Sequence, residues 1–146
     1  MDEYNMKLAN QLCFSAYNIN RRFAQFYEKQ LKAFGLTYSQ YLVLLTLWEE
    51  NPQTLHSIGE QLDLSSNTLT PLLKRLEQSE WVIREQSQQD KRQLIISLSQ
   101  KGHDQKEAIY ETISKCVTQD LNVEAYQQMK SAMDQLEAVL KEQIEK

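Results

Sequence analysis

The sequence predicts a mainly α-helical fold that contains one small β-hairpin. With three Gly and two Pro among 146 residues, the chain is poor in turn-forming residues, which favours helices. Apolar residues recur near the 3.6-residue period of an amphipathic helix through most of the chain. Only between residues 81 and 98 do two β-prone runs flank a polar segment, the pattern of a hairpin with a long tip. Because the length is close to that of one domain, we expect residues 1–146 to form a single domain.

The first predicted helix runs from Asn5 to about Phe34. Gly35 ends it, since glycine is the residue that most often follows a helix. The helical period rests on seven apolar residues: Leu8, Leu12, Ala16, Ile19, Phe23, Phe26 and Leu31.

Two helices are predicted next from their capping residues. Thr37 is placed to cap a helix that continues through Trp48, and Asn51–Pro52 closes it because the residue before proline disfavours helical geometry. Thr54 is placed to cap a third, short helix. Its apolar face comprises Leu55, Ile58 and Leu62.

A fourth helix follows a tight connection at residues 63–65. Its apolar face comprises Leu69, Leu72, Leu73 and Leu76. An interior proline costs a helix about 3 kcal/mol. Pro71 therefore indicates that this helix either begins near Asn67 or kinks at the proline.

The hairpin and the C-terminal helices complete the predicted fold. Trp81–Arg84 and Gln93–Leu98 are the β-prone runs, and Gln86–Arg92 is the polar tip between them. Ser99 then caps a fifth helix, and the apolar period continues to Ile144 as two helices separated around residues 120–122.

Two short helices followed by a hairpin form the layout of a winged helix-turn-helix, here at about residues 37–99. In that layout the second helix of the pair enters the DNA major groove. The flanking helices, at about residues 5–34 and 100–146, carry apolar stripes at both chain ends. A second copy of the chain is the economical way to cover these stripes, so we expect a homodimer.

Short polar side chains at the start of the fourth helix are suited to phosphates and base edges, and basic residues follow them. The same pattern is also typical of a capping segment followed by a solvated face. The candidate DNA-binding residues in this region and the first strand are Ser65, Ser66, Asn67, Thr68, Thr70, Lys74, Arg75 and Arg84.

The hairpin tip carries a second candidate DNA contact at Asp90, Lys91 and Arg92. Asp90 lies two residues before Arg92, where its carboxylate could hold the guanidinium in one direction. A directed arginine suits a narrow minor groove. An exposed charged turn is the alternative interpretation.

The segment from Leu64 to Glu77, followed by Asp90–Arg92 and Leu98–Ser99, resembles the MarR family of dimeric winged-helix transcriptional regulators. The resemblance covers nearly the whole chain and implies binding to double-stranded operator DNA. Gln11–Phe14, Tyr17, Tyr27 and Leu36–Tyr41 further resemble the oxidation-sensing OhrR, MgrA and SarZ branch of that family. That branch usually has Asp-Ser-Gly-Thr or Asp-Thr-Gly-Thr where this chain has residues 65–68.

Cys13 is the predicted redox sensor. On a helix, Tyr17 and Tyr27 lie within about 40° of Cys13 around the axis, so the three residues share a face. Tyr27 is about 21 Å further along, so only an antiparallel partner helix could bring it to the thiol. The resemblance implies that Tyr27 and Tyr38 of the other subunit donate hydrogen bonds to the sulfur. A small buried hydrophobic residue is the alternative role of Cys13.

The resemblance to two-cysteine members of the branch implies a role for Cys116 as well. In those relatives a second cysteine closes a disulfide between subunits after a peroxide has oxidised the first. The apolar face that Cys116 shares with Ile109 and Ile113 is equally typical of structural filler. We therefore expect a peroxide-sensing repressor, and the alternatives are a regulator released by a small phenolic or apolar ligand and a thiol peroxidase.

Several function classes are not expected. The net charge of −4 argues against coating nucleic acid by bulk electrostatics. The start lacks the features of a secretory signal, and the longest apolar run, Tyr41–Trp48, is too short to cross a bilayer, so we expect a cytoplasmic protein without a membrane anchor. His56 and His103 lack metal-ligand spacing. We expect no metal, no cofactor and no enzymatic activity.

Overall fold

The computed structural model describes residues 6–8, 11–117 and 122–146, apart from the side chains of residues 116 and 117. The helices are α1 (Leu12–Leu31), α2 (Tyr38–Glu49), α3 (Leu55–Leu62), α4 (Ser66–Gln78), α5 (Gln100–Asp104), α6 (Lys106–Val117) and α7 (Val123–Glu145). The strands are β1 (Gln53–Thr54), β2 (Val82–Gln86) and β3 (Leu94–Leu98). This mainly helical architecture with a small antiparallel sheet confirms the predicted fold class.

The chain divides into two compact units with a boundary between Ile109 and Tyr110. The core of the first unit is built by the inward faces of α2, α3 and α4 together with the sheet. Burying one such aliphatic side chain stabilises a fold by about 1.5–3 kcal/mol. Its fully buried members include Val43, Leu44, Leu47, Ile58, Leu69, Leu73, Leu76 and Ile96.

Helix α1 begins later than predicted. Residues 6–8 are not α-helical, and the helix begins at Leu12 without a side-chain cap from Gln11. Leu8 continues the apolar period but is exposed, so no burial offsets the entropy of ordering that turn. Asn5 lies outside the described residues. At the other end, a 3₁₀ turn at Lys32–Phe34 leads to Gly35, whose φ of 69° ends the helix as expected.

The predicted caps of α2 and α3 are present, and α4 has a cap as well. Thr37 and Gln40 form a capping box, in which each side chain accepts a hydrogen bond from the other residue's backbone N–H, at 3.2 and 2.9 Å. Thr54 accepts from the backbone N–H of Ser57 at 3.0 Å. Ser65 caps α4 through the N–H of Thr68. These local hydrogen bonds explain why the helix starts could be read from the sequence.

Helix α4 contains Pro71 and begins at Ser66, one residue before the predicted start. The proline removes the N–H that would bond to the carbonyl of Asn67. Asn67 and Pro71 are both exposed, so water can satisfy that carbonyl. The helix therefore continues through the proline to Gln78.

The sheet has the order β1-β3-β2, with both pairs antiparallel. The predicted hairpin is present as β2 and β3, paired from Val82 with Leu98 to Gln86 with Leu94. Strand β1 was not predicted, because two residues are too short to show a period. It is anchored by buried Gln53, whose amide nitrogen donates to the carbonyls of Thr46 and Glu50 at 2.7 and 2.8 Å.

The predicted fifth helix is short, and a separate helix follows it. Ser99 caps α5 as expected, but α5 ends at Asp104 and α6 begins at Lys106. Buried Gly102 brings α5 against the backbone of Trp81, where a Cβ atom would stand 2.6 Å from the Trp81 carbonyl oxygen. Tertiary packing thus sets the course of α5, and a helical period cannot reveal this.

The second unit comprises the rest of α6 and α7. Asn122 caps α7 by accepting a hydrogen bond from the N–H of Ala125 at 2.7 Å, which agrees with the predicted break before residue 123. In the described ranges, no helix combines the length and apolar character that crossing a membrane requires. The exposed apolar side chains of α7 are Val123, Tyr126, Met129, Met133, Val139, Leu140 and Ile144.

We predict that Gly102→Ala destabilises the protein by about 1–3 kcal/mol, because the added methyl group meets backbone that cannot rotate away. Urea denaturation followed by circular dichroism measures the free energy of unfolding. His103→Ala is the matched control in the same helix, and its exposed side chain predicts a change within about 0.5 kcal/mol. Equal stabilities for the two variants would show that α5 does not depend on this close approach.

Candidate nucleic-acid interface and redox site

The start of α4 presents the short polar side chains on which the predicted DNA contact rests. Ser65, Ser66, Asn67 and Thr68 are exposed, and Thr70 is half-buried. The Ser65 hydroxyl caps the Thr68 N–H at 3.4 Å and lies 3.2 Å from the Thr68 hydroxyl. Ser65 and Thr68 therefore stabilise the first turn of the helix, and this role is independent of their predicted contact with DNA.

The basic residues of α4 continue the same exposed surface. Lys74 is seven residues after Asn67, and Arg75 is seven after Thr68, which places each pair within about 20° around the helix axis. Both basic side chains are exposed, whereas Leu69 in the same helix is fully buried. The structure thus brings the predicted polar and basic residues of α4 to its solvent side.

Arg84 has a different environment from the other candidate basic residues. Its guanidinium Nη2 lies 3.0 Å from Oε1 of Glu77, and its backbone N–H donates to Oε2 of Glu77 at 3.3 Å. The Arg84 side chain is only 20% exposed. The hydrogen bond from Arg84 holds the pKa of Glu77 below its usual range. Arg84 thus ties α4 to β2, and its predicted DNA contact stays a prediction.

The hairpin tip holds its arginine as the sequence suggested. Oδ1 of Asp90 accepts hydrogen bonds from the backbone N–H of Arg92 at 3.0 Å and from its Nε at 3.2 Å. The Arg92 side chain is 92% exposed, so the guanidinium is oriented but accessible. Lys91 is exposed beside it. Sequence reasoning missed buried Ser87, whose hydroxyl accepts from the N–H groups of Gln89 and Asp90 and shapes the tip.

Cys13 is exposed in the second position of α1. Its Sγ atom lies 3.9 Å from Oε1 of Gln11, and both its redox role and its alternative role as buried filler stay predictions. Tyr17, one turn later, is also exposed, and the Arg21 guanidinium lies 5.8 Å from its ring centroid.

Cys116 belongs to α6, but its side chain is outside the described part, so its pairing with Cys13 stays a prediction.

Tyr27 and Tyr38, the other predicted redox-site residues, stack directly on each other. Their ring centroids are 4.6 Å apart with an interplanar angle of 22°. Tyr41 joins them, with its ring 5.4 Å from that of Tyr27. Sequence reasoning placed Tyr41 in an apolar run and in the segment that resembles the oxidation-sensing branch, but not among the redox-site residues, although its spacing of three from Tyr38 on α2 could have indicated the shared face. One chain therefore presents the phenols together, while Cys13 lies fourteen residues from Tyr27 along α1.

A family model of SarA/Rot transcriptional regulators matches residues 25–109, which include the tyrosine cluster, α2 to α5 and the whole sheet. The chain belongs to the SarA/Rot family of transcriptional regulators. The regulator is 39% identical over 119 residues to the HTH-type transcriptional regulator SarZ of Staphylococcus epidermidis, which covers 82% of this chain and 80% of SarZ.

Two further relatives bear on the redox site. The regulator is 47% identical over 98 residues to the organic hydroperoxide resistance transcriptional regulator of Bacillus subtilis, which covers 67% of each chain. The structure of reduced AbfR bound to DNA is 64% identical, covers 99% of both chains and superimposes with a TM-score of 0.89. These relatives confirm the predicted resemblance to redox regulators of the MarR type.

We predict that Glu77→Gln destabilises the fold by removing the ion pair between α4 and β2, and that the size of this effect depends on pH. Because the folded-state pKa of Glu77 is lowered, the carboxylate stabilises the fold above its unfolded-state pKa and loses this effect as pH falls through the folded value. The stability gap between wild type and variant should therefore be full at pH 7 and shrink in acid. Urea denaturation across that range measures it, and a gap independent of pH would contradict the pairing.

Proposed function

We propose that this regulator is a redox-sensing, DNA-binding repressor that acts as a homodimer. The observation that carries the proposal is the similarity to AbfR over 99% of both chains. AbfR has been solved in its reduced form on DNA, overoxidised on DNA, and with a disulfide formed. An exposed thiol at Cys13 and the stacked phenols of Tyr27 and Tyr38 in the present chain support the proposal.

The DNA-binding part consists of α4 and the hairpin tip. Asn67, Lys74 and Arg75 lie on the solvent side of α4, opposite Leu69 in the core, which suits a helix that enters a major groove. Arg92, whose guanidinium is held by Asp90, would contact the flanking minor groove. A dimer presents two copies of this surface, so we expect a roughly palindromic operator.

The dimer follows from the apolar side chains that the chain leaves exposed. On α1 they include Leu12, Ile19 and Phe23, and on α7 they include Met129 and Met133. An exposed apolar surface of this extent marks an interaction site. A second copy of the chain would cover these faces and bring Cys13 of one subunit to the tyrosines of the other. We accordingly treat residues 1–146 as one functional domain.

The redox step begins with the Cys13 thiolate, the form that attacks a peroxide. The sulfur takes the hydroxyl group of a hydroperoxide as the O–O bond breaks, and the other oxygen leaves as an alkoxide or hydroxide that takes a proton from solvent to become an alcohol or water. The resulting sulfenic acid then condenses with the thiol of Cys116 of the partner subunit, which forms a disulfide and releases water. Either product changes what the tyrosine hydroxyls of the other subunit bind, and we infer that this change releases the operator.

The relatives are transcriptional regulators, and we infer that this chain also senses peroxide without turning it over. A repressor acts where its operator is, so we place the protein in the cytoplasm. A thiol peroxidase would need a reductant that recycles Cys13 at each turnover. The α4 surface and hairpin tip have no role in such an enzyme.

We predict that Arg92→Ala weakens operator binding by the reduced protein by about 1–3 kcal/mol, which is roughly 5- to 150-fold. Asp90→Asn should cause a smaller loss, because a neutral amide oxygen holds the guanidinium more weakly but does not remove it. Fluorescence anisotropy with duplex DNA from upstream of the regulator's own gene measures both. Lys141→Ala removes an exposed charge on α7 and is the control. Wild-type affinity in Arg92→Ala would exclude the hairpin tip from the interface.

We predict that Cys13→Ser keeps DNA binding but no longer responds to hydroperoxide. Cys116→Ser should still respond through the sulfenic acid but should not form a covalent dimer. Gel-shift titration gives the response, and non-reducing electrophoresis gives the dimer. A covalent dimer that persists in Cys116→Ser would refute the pairing. Unchanged release in Cys13→Ser would instead favour a regulator controlled by a small apolar ligand.

A further inference from the structure

A series of aromatic rings leads away from the predicted sensor tyrosines along α2. Tyr27 stacks on Tyr38 and on Tyr41, with centroids 4.6 and 5.4 Å apart. Tyr41 in turn meets Trp48 at 6.3 Å in an edge arrangement. Tyr38, Tyr41 and Trp48 are three and seven residues apart on α2, so they share one face of that helix.

The indole of Trp48 reaches the segment that supports the DNA-binding part. Its Nε1–H donates to the carbonyl oxygen of Gly102 in α5 at 2.9 Å. Gly102 is itself packed against the backbone of Trp81, at the start of the hairpin. Trp48 therefore contacts the tyrosine series through its ring and α5 through its nitrogen.

Helix α5 and its cap are joined to the end of α4 by polar contacts. Lys101 donates from Nζ to the carbonyl of Ser79 at 2.9 Å and lies 4.6 Å from the centroid of the Trp81 ring. The Ser99 hydroxyl donates to the carbonyls of Glu80 and Trp81. Ser79 is the C-cap of α4, and Trp81 precedes β2. A displacement of α5 would thus also move the end of α4 and the start of the hairpin, the two elements proposed to contact DNA.

We propose that Trp48 is a positioning residue that couples the tyrosine cluster to the end of α4 and the base of the hairpin. This inference rests on the proposed redox function. Oxidation of Cys13 changes what the tyrosine hydroxyls bind, the packed rings of Tyr27 and Tyr41 shift together, and Trp48 transmits the shift to Gly102. Close-packed rings and a directed hydrogen bond have discrete arrangements, which suits them to a two-state change.

The coupling is measured as the ratio of the DNA dissociation constants of peroxide-treated and reduced protein. Trp48→Phe keeps an aromatic ring against Tyr41 but removes the hydrogen bond to Gly102. We expect the reduced variant to bind within about threefold of wild type and the ratio to fall by about fivefold or more, the lower end of typical coupling. Mass spectrometry must show that Cys13 is oxidised to the same extent in both proteins.

Thr46→Val is the matched control. It removes another side-chain hydrogen bond within α2, from the buried Thr46 hydroxyl to the carbonyl of Val43 at 2.7 Å, without touching the aromatic series. It should keep the wild-type ratio. A wild-type ratio in Trp48→Phe would overturn the proposal, as would an equal fall in both variants. A wild-type protein that binds DNA yet ignores peroxide would instead refute the redox function, and this inference with it.

A fluorescence measurement tests the same idea without altering Trp48. In Trp81→Phe, Trp48 is the remaining tryptophan of the two in the sequence. Peroxide should shift its emission, and the shift should be absent when Cys13→Ser is added. Emission unchanged by complete oxidation of Cys13 would overturn the proposal even if Trp48→Phe fails to fold.

Discussion

The close approach of Gly102 to the Trp81 carbonyl is the constraint on which the first unit depends. Because residue 102 has no side chain, the backbone of α5 lies directly against the start of the hairpin. Only at that separation do Lys101 and Ser99 reach the carbonyls of Ser79 and Trp81. The end of α4, the start of β2 and α5 therefore pack together as one unit, which sets the positions of the two elements proposed to contact DNA.

Several polar residues serve both folding and the proposed interface. Ser65 starts α4, and Asp90 shapes the hairpin tip while it orients Arg92. Because such contacts fix the position of a cation such as Arg92, a chain with a net charge of −4 can still be a DNA-binding protein. In the proposed interface, affinity would rest on a few cations at fixed positions, and the acidic residues elsewhere would limit nonspecific attraction to nucleic acid.

Features set by local chemistry could be predicted from the sequence. Thr37, Thr54, Ser65 and Ser99 each cap a helix through a bond to a residue three positions later, so their signals lie within one turn. The hairpin was equally visible from its two β-prone runs. The contact of Asp90 with Arg92 spans only two residues, which is why it was foreseen.

Features set by tertiary packing could not be predicted. Glu77 and Arg84 pair across the turn between α4 and β2, and the apolar period of the sequence gives no indication of such a pair. Strand β1 exists because Ile95 and Ile96 of β3 offer it a partner, and Tyr41 joins the tyrosine cluster only because α1 packs on α2. The roles of the individual DNA-binding and redox residues, including Cys116, remain predictions.

The shielded position of Arg84 has a consequence for ionic strength. Salt screens exposed charges strongly and partly buried pairs much less. Contacts of Lys74, Arg75 and Arg92 with phosphates would weaken steeply as salt rises, because each releases counterions from DNA. The bond between Arg84 and Glu77 is screened less than these contacts, because the Arg84 side chain is only 20% exposed. Concentrated salt would therefore dissociate the protein from DNA while α4 and the hairpin keep their relative orientation. Dilution of the salt would then restore DNA binding without any rearrangement of these two elements.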